Sequence, residues 1–245
     1  MIWFSTGCLY KTAMTNAEKV QRYLQLWANA IEFNIANEAL LDNLLQEYEM
    51  NVKFRSDLEK FLFLSFHAPR INVTYSDNET AHRVVEKLRL LHKKIPSQGI
   101  VVHGYSVQDY DWLQQTGLPF LICNDGKKDR GAGSAFPEYF KYLNEHYNFG
   151  YLLDLNHVYE LYAEYPSLAQ ELVEAMGKKL HHLHLAGVNA DETHALVAYS
   201  ENREIFLQRA EMFKSYPLIL EGVINGKVPD SERYWMLEEE ILLLK

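Results

Sequence analysis

Short apolar stretches rich in β-branched and aromatic residues recur along the chain at intervals of about 20 to 37 residues. Turn-forming or polar residues bound each stretch, and the stretches have the length of buried strands. The pattern predicts eight β-strands. These are Ile2–Ser5, Ala30–Ile35, Leu62–His67, Gly99–Tyr105, Pro119–Asn124, Gly150–Asn156, Leu180–Leu185 and Pro217–Glu221.

Segments with the 3.6-residue period of amphipathic helices lie between these stretches. The clearest predicted helices are Asn16–Ala28, with Val20, Leu24 and Trp27 on one face, and Asn78–Ile95. Residues able to accept hydrogen bonds from the first helical turn precede both. The candidate N-caps are Thr15 or Asn16 for the first helix and Asp77 or Asn78 for the second.

Strand and helix therefore alternate eight times, which predicts a parallel sheet covered by helices. A doubly wound open sheet would show the same alternation. However, the 245 residues match the roughly 250 of a complete β/α barrel, and eight units leave no segment over. No linker or low-complexity tract divides the sequence. We therefore predict an α/β fold, a single (β/α)8 TIM barrel domain over residues 1–245.

Charge and cysteine content narrow the cellular setting. The 24 basic and 33 acidic residues give a net charge of −9, which opposes long-range attraction to nucleic acid or to an anionic membrane. No stretch approaches the ~18 apolar residues of a membrane span, and no signal-peptide pattern opens the sequence. Cys8 and Cys123 are too few for a disulfide framework. We expect a soluble protein of the cytoplasm.

The residues that end the predicted strands carry the candidate chemistry, because β/α barrels place their active sites at the C-terminal ends of the strands. Five of the eight strands end on or beside a histidine or carboxylate. One such residue is more often structural, but five together predict a shared metal site, since imidazole and carboxylate groups bind zinc or manganese. The residues are His67, His103, Asp154 with His157, His184, and Glu221.

Two further carboxylates and an imidazole follow the seventh strand. They belong to Asp191–His194, which we expect to be a loop at the same face of the barrel. Within the seventh strand, His182 and His184 are two residues apart and therefore share a face, and His184 is the nearer to the barrel mouth.

In this order, the strand endings resemble those of the xylose-isomerase-like TIM barrels, particularly the endonuclease-IV-like apurinic endonucleases (AP endonuclease family 2) and their sugar phosphate isomerase and epimerase relatives. The resemblance spans nearly the whole chain. It implies divalent metal as cofactor, zinc foremost, with manganese or magnesium as alternatives. The implied ligands are His67 and His103 for one ion, Asp154, His184 and Glu221 for a second, and His157 with His194 and Glu192 (or Asp191) for a third.

The sequence departs from this family at the end of strand five. The family has a Glu-Asn pair there, whereas this chain has Cys123 followed by Asn124. In the isomerases that glutamate is a metal ligand and the acid–base partner of the strand-eight glutamate, and in the endonucleases it bridges two metals. The thiolate of Cys123 or the carboxylate of Asp125 could replace it as a ligand. The alternative is a buried, inert cysteine.

The resemblance and the residues together leave three functions open. The first is hydrolysis of a small phosphoester by a metal-activated water, with Asp154 and Glu221 as catalytic carboxylates. The second is isomerisation or epimerisation of a sugar or sugar phosphate, with Glu221 as ligand and base. The third is a non-catalytic barrel that binds metal or a small ligand.

A polar segment after strand five suggests where a phosphate would bind. Charge and backbone N–H groups near a helix start could hold it, and Gly131–Ser134 resembles the glycine-containing loop of the endonuclease branch. We expect a small sugar-like or phosphorylated substrate rather than damaged DNA, because the chain is acidic. The candidate phosphate-binding residues are Lys127, Lys128, Arg130, Ser134 and Asn124.

Overall fold

The computed structural model describes residues 2–126, 133–190 and 192–244, and for Ile2, Glu192 and Thr193 it describes the backbone alone. Eight parallel strands close into a barrel in the order β1-β10-β7-β6-β5-β4-β3-β2. The predicted (β/α)8 TIM barrel is therefore confirmed. In chain order the strands are β1 Ile2–Ser5, β2 Ala30–Asn34, β3 Phe63–His67, β4 Gly99–His103, β5 Phe120–Cys123, β6 Gly150–Asp154, β7 Leu180–Leu185, β8 Gly187–Asn189, β9 Glu192–Ala195 and β10 Leu218–Leu220.

Ten α-helices occur in the part of the chain that the structure describes, and none of them has both the length and the apolar character of a membrane span. Their buried residues recur with helical spacing, as in the helix 79–94, which buries Val84, Leu88 and Leu91. They are α1 Asn16–Gln25, α2 Glu38–Met50, α3 Val52–Leu58, α4 Glu79–Lys94, α5 Tyr110–Gln115, α6 Pro137–His146, α7 Leu155–Tyr159, α8 Leu168–Met176, α9 Arg203–Met212 and α10 Asp230–Leu243.

Helix α1 begins where the sequence predicts and ends three residues earlier. Thr15 caps it, and the side chain of Glu18 accepts a hydrogen bond from the Thr15 N–H to complete a capping box. At the other end, the N–H groups of Trp27 and Ala28 donate to the carbonyls of Leu24 and Tyr23. This is a Schellman closure, and it places Trp27 in the left-handed region at φ 59°. The predicted end at Ala28 is wrong because this closure stops the helix first.

Six of the eight predicted strands are longer than the observed ones, and the excess at the C-terminal end is largest, two residues, for β4 and β6. Strand β4 ends at His103 because Gly104–Ser106 turns into a short 3-10 helix. Strand β6 ends at Asp154, whose side chain caps α7. The predicted loop around Asp191–His194 is also wrong in part, since Glu192–Ala195 forms β9, paired antiparallel with β8.

Contacts divide the described chain into two compact units. The first unit comprises Met1–Asn34, Gln46–Leu64 and Leu183–Lys245, and the second comprises Ile35–Leu45 and Ser65–His182. In the first unit, β1 pairs with β10 and β2, with Phe4 opposite Leu220 and Ile31. In the second unit, β4 pairs with β5, with His103 opposite Cys123. That residues 1–245 act as one domain stays a prediction.

Candidate metal centre

Four strands of the second unit deliver polar side chains at their last residues. His67 ends β3, His103 ends β4, Cys123 ends β5 and Asp154 ends β6. His157 follows one turn later in α7. All five are buried, with exposures between 0% and 7%. We call His67, His103, Cys123, Asp154 and His157 the second-unit cluster.

Three of these side chains lie close enough together to hold a metal ion. His103, Cys123 and His157 each offer one ligand atom, and these atoms all lie within 4.8 Å of one another. The ring of His103 is centred 5.5 Å from that of His157 and 4.9 Å from that of His67. Tetrahedral zinc separates its nitrogen and sulfur ligands by about 3.5 Å, so a small contraction would bring the three atoms into its coordination sphere. Imidazole with thiolate is a donor set suited to zinc, and three protein ligands leave a fourth position for water or substrate.

Hydrogen bonds orient His157. Its Nδ1 lies 2.8 Å from the backbone oxygen of Asn124, which can only accept, so Nδ1 carries the proton. Its Nε2 lies 3.5 Å from Oδ2 of Asp154. A backbone carbonyl that accepts from one ring nitrogen fixes the orientation of the imidazole, as it does in histidines that bind metal through the other nitrogen.

His103 lies between a carboxylate and a guanidinium. Its Nδ1 lies 3.3 Å from Oδ1 of Asp125, and its Nε2 lies 3.0 Å from Nη1 of Arg70. Because a guanidinium only donates, Nε2 accepts from Arg70 and Nδ1–H faces the Asp125 carboxylate. Asp125 also accepts from the backbone N–H of Tyr105 and from the hydroxyl of Ser134. Asp125 therefore faces Nδ1 of His103 and helps to orient its ring.

The two predicted phosphate-binding residues that the structure describes are both engaged in the fold. Asn124 donates from Nδ2 to the carbonyl of Asp154 at 3.1 Å and accepts from the Asp154 N–H at 2.6 Å. The Ser134 hydroxyl donates to Asp125, and Ser134 lies in a 3-10 turn ahead of α6, whose N-cap is Phe136. Their role in phosphate binding stays a prediction. Lys127, Lys128 and Arg130 lie outside the described residues.

The first unit contains a separate charged group formed by Glu32, His184 and Glu221, which we call the first-unit triad. Nε2 of His184 lies 2.9 Å from Oε1 of Glu32, and Nδ1 lies 3.2 Å from Oε2 of Glu221. Burial lowers the pKa of His184, but the two carboxylates raise it more, and the net result is a pKa well above its usual 6.5. His184 in this arrangement is an imidazolium, and a metal would have to displace its proton.

The remaining predicted ligands lie on the β8–β9 hairpin of the first unit. The side chain of Glu192, like Asp191, lies outside the described residues. His194 is half-buried on β9, and its carbonyl accepts from the N–H of Val223 at 2.7 Å. Its assignment as a ligand stays a prediction.

The sequence reasoning overlooked Glu32 and Arg70. Glu32 stands between Ile31 and Phe33 in the apolar run of β2, and a carboxylate in such a run is the signal that would have found it. Arg70 follows the His67-Ala68-Pro69 segment by one residue. Its proximity to a histidine that was already a candidate was the available signal.

Comparisons with known proteins place the fold. No protein-family model matches the sequence, and no curated protein matches it. A putative xylose isomerase from Rhodospirillum rubrum matches with a TM-score of 0.69 and 7% identity, over 99% of this chain and 97% of that one. Endonuclease IV from Thermus thermophilus matches with a TM-score of 0.65 and 17% identity, over 99% and 98%.

A D-tagatose 3-epimerase-like protein matches with a TM-score of 0.64 and 16% identity, covering 99% of this chain and 97% of that one. At these identities the likeness shows the fold alone. The resemblance to the xylose-isomerase-like TIM barrels is thereby confirmed as a fold, one found in an endonuclease and in sugar epimerases.

Proposed function

We propose that this protein is a divalent-metal-dependent hydrolase of a small phosphoester, with zinc as the metal. The observation that carries the proposal is the group of His103, Cys123 and His157, whose ligand atoms lie within 4.8 Å of one another. Two imidazoles and a thiolate match zinc better than they match magnesium, which prefers oxygen ligands. The further ligands that we propose are His67 and Asp154 in the second unit, and His184, Glu221, Glu192 and His194 in the first.

A zinc ion in this cluster would polarise a phosphoryl oxygen and acidify a water molecule. Carboxylates near the two units' histidines would orient the imidazole rings and transfer protons. Asp154 directs Oδ2 toward Nε2 of His157, and Asp125 faces Nδ1 of His103. Glu221 is more exposed than its partner Glu32, which suits it to exchange protons with solvent. We assign Asp154 and Glu221 as the catalytic carboxylates.

The substrate we infer is a small phosphorylated or sugar-like metabolite. The net charge of −9 disfavours a long polyanion, whose binding depends on clustered lysines and arginines. The two cysteines are buried and form no disulfide, which fits a reducing compartment, and we infer the cytoplasm.

Epimerisation or isomerisation of a sugar is the second candidate, and the first-unit triad favours it, since Glu221 contacts His184 at 3.2 Å. That chemistry needs a second group to return the proton. The strand-five position offers the thiol of Cys123, which donates to the carbonyl of Asn124 at 3.2 Å. A thiol there is a better zinc ligand than proton shuttle, so we rank hydrolysis first.

The test combines metal analysis with two assays. Purified protein is analysed for bound metals, and hydrolysis of para-nitrophenyl phosphate and bis(para-nitrophenyl) phosphate is followed alongside epimerisation of ketohexoses. We expect zinc, and phosphoester hydrolysis that a chelator abolishes and zinc restores.

Two matched variants locate the activity. Cys123→Ala should lower both zinc content and hydrolysis, the latter by at least about tenfold. Cys8→Ala removes an equally buried thiol, which donates to Leu220, and should leave both unchanged. Epimerisation without hydrolysis would reverse our ranking, and bound metal with neither activity would identify a non-catalytic binding protein.

A further inference from the structure

Arg70 lies in a loop of the second unit that is held firmly against the fold. Its N–H and that of Ile71 both donate to the carbonyl of Ala36. The hydroxyl of Tyr75 donates to the carbonyl of Pro69 at 2.8 Å. Asn72 turns the chain with φ 61°, a left-handed conformation that asparagine tolerates better than most residues. The backbone of Arg70 is thus fixed just beyond the end of β3, although its side chain is exposed.

The guanidinium of Arg70 has an unusual partner. Within the described residues its side chain bonds only to Nε2 of His103, at 3.0 Å. Other arginines of the chain pair with carboxylates, for example Arg83 with Glu38, Arg89 with Glu86 and Arg233 with Asp230. Arg70 therefore carries a positive charge that no described carboxylate neutralises. Four of its five N–H donors are not used by His103.

A neutral imidazole is a weak partner for a guanidinium compared with an oxyanion, which accepts two parallel N–H bonds and contributes its charge. Arg70 lies against His103, and the ring of His103 is centred 4.9 Å from that of His67. An anion that displaced His103 from Arg70 would thus stand beside two candidate metal ligands. The displacement would also free Nε2 of His103 to coordinate.

We propose that Arg70 binds the phosphoryl group of the substrate, and that His103 holds the guanidinium in place until the anion arrives. This inference rests on the proposed function, because it assigns the substrate's anionic group to that site. The arrangement also couples the binding of phosphate to the binding of metal. Phosphate holds Arg70 away from His103, and His103 then accepts metal more readily, so each ligand strengthens binding of the other.

Binding of inorganic phosphate to chelator-treated protein, followed by NMR titration, tests the proposal. We expect Arg70→Gln to weaken phosphate binding by about tenfold or more, the factor typical of losing a charge-assisted pair. Arg70→Lys keeps the positive charge but loses the two parallel N–H donors of the guanidinium. Its affinity for phosphate should therefore lie between those of the wild type and Arg70→Gln. Arg89→Gln removes one positive charge on α4 of the same unit and should change the affinity less than about twofold.

Two further arms separate phosphate from other causes. Acetate should bind the wild type more weakly than phosphate, and tighter acetate binding would overturn the phosphoryl assignment. In a zinc titration without phosphate, Arg70→Gln should bind zinc more tightly than the wild type, because His103 is released. Unchanged phosphate affinity in Arg70→Gln would overturn the inference even if the enzyme hydrolyses phosphoesters. Arg70-dependent phosphate binding without metal or turnover would refute the proposed function and leave Arg70 as the anion-binding residue of a non-catalytic protein.

Discussion

Nε2 of His184 lies 2.9 Å from Oε1 of Glu32, and both side chains are almost wholly buried, at 1% and 0% exposure. Glu221 approaches the other ring nitrogen at 3.2 Å. Two carboxylates thus share one imidazolium in the apolar interior of the first unit. Removing one partner from such a buried group takes away an interaction that offsets the cost of burying the imidazolium, and this destabilises the fold.

We predict that Glu32→Gln lowers the pKa of His184, because one of the two carboxylates that raise it is gone. A raised folded-state pKa stabilises the protein below the unfolded value near 6.5, and this stabilisation is lost as pH rises through the folded-state pKa. In the variant this stabilisation should be lost at a lower pH than in the wild type. At neutral pH the free energy of unfolding of the variant should be lower than that of the wild type by roughly 3 kcal/mol. Histidine NMR titration and urea unfolding of chelated protein measure both, with exposed Glu204→Gln as control.

Alkylation distinguishes the two cysteines. Burial raises the pKa of the Cys8 thiol, so Cys8 should react slowly with iodoacetamide whether or not a chelator is present. If Cys123 is a zinc ligand, the metal protects it, and its alkylation should accelerate when the metal is removed. Mass spectrometry of each cysteine peptide follows the two rates. Equal, slow rates with and without chelator at Cys123 would show a structural cysteine.

The titration of Glu240 should lower the free energy of unfolding as the pH rises towards neutrality. Glu240 is buried, and its carboxylate accepts from the N–H groups of Val197 and Ala198 at 2.7 and 2.8 Å. Burial outweighs these two bonds and raises its pKa to about 7. Between about 4.5 and 7 the folded state holds a proton that the unfolded state lacks, so the free energy of unfolding should decline by at most about 3 kcal/mol across this window.

Chemical unfolding at a series of pH values tests this. In Glu240→Gln the decline should be smaller by that amount, although the variant is less stable overall. A decline of the same size in both proteins would show that Glu240 is ionised throughout the window.

Two substitutions of Trp27 test whether the backbone is strained at the end of α1. Trp27 occupies the left-handed position that ends α1, where glycine is usual, and it is 92% exposed. Trp27→Gly should exceed Trp27→Ala in free energy of unfolding by about 1 kcal/mol, because both lose the ring and only glycine relieves the backbone. Thermal unfolding of the pair decides the point. An alanine variant as stable as the glycine variant would argue against strain at this residue.

The repeating apolar runs predicted the barrel because each buried parallel strand must be apolar on both faces. Strand and helix ends were predicted less well, since they depend on single side chains. Asp154 belongs to the predicted strand by sequence, but its carboxylate accepts from the N–H groups of Asn156 and His157 and starts a helix there. The Schellman closure at Trp27 similarly used a residue that sequence rules do not favour at that position.

The candidate site was predictable where strand topology brings residues together. His103, Cys123 and His157 follow adjacent strands, so their proximity follows from the barrel. The contacts of Arg70 and Glu32 depend on side-chain direction and on partners distant in sequence, His103 and His184, which no local pattern reports. The sequence could single out Glu32 and Arg70 as candidates, but it could not show which histidine each of them contacts.

The two carboxylate oxygens of Asp154 have different partners. Oδ1 accepts from two backbone N–H groups and begins α7, whereas Oδ2 faces the imidazole of His157. Selection for folding alone would therefore preserve an aspartate at this position, whether or not Asp154 takes part in catalysis. If the proposed metal site were lost in a related protein, we would expect the histidine at position 157 to be replaced before the aspartate at 154.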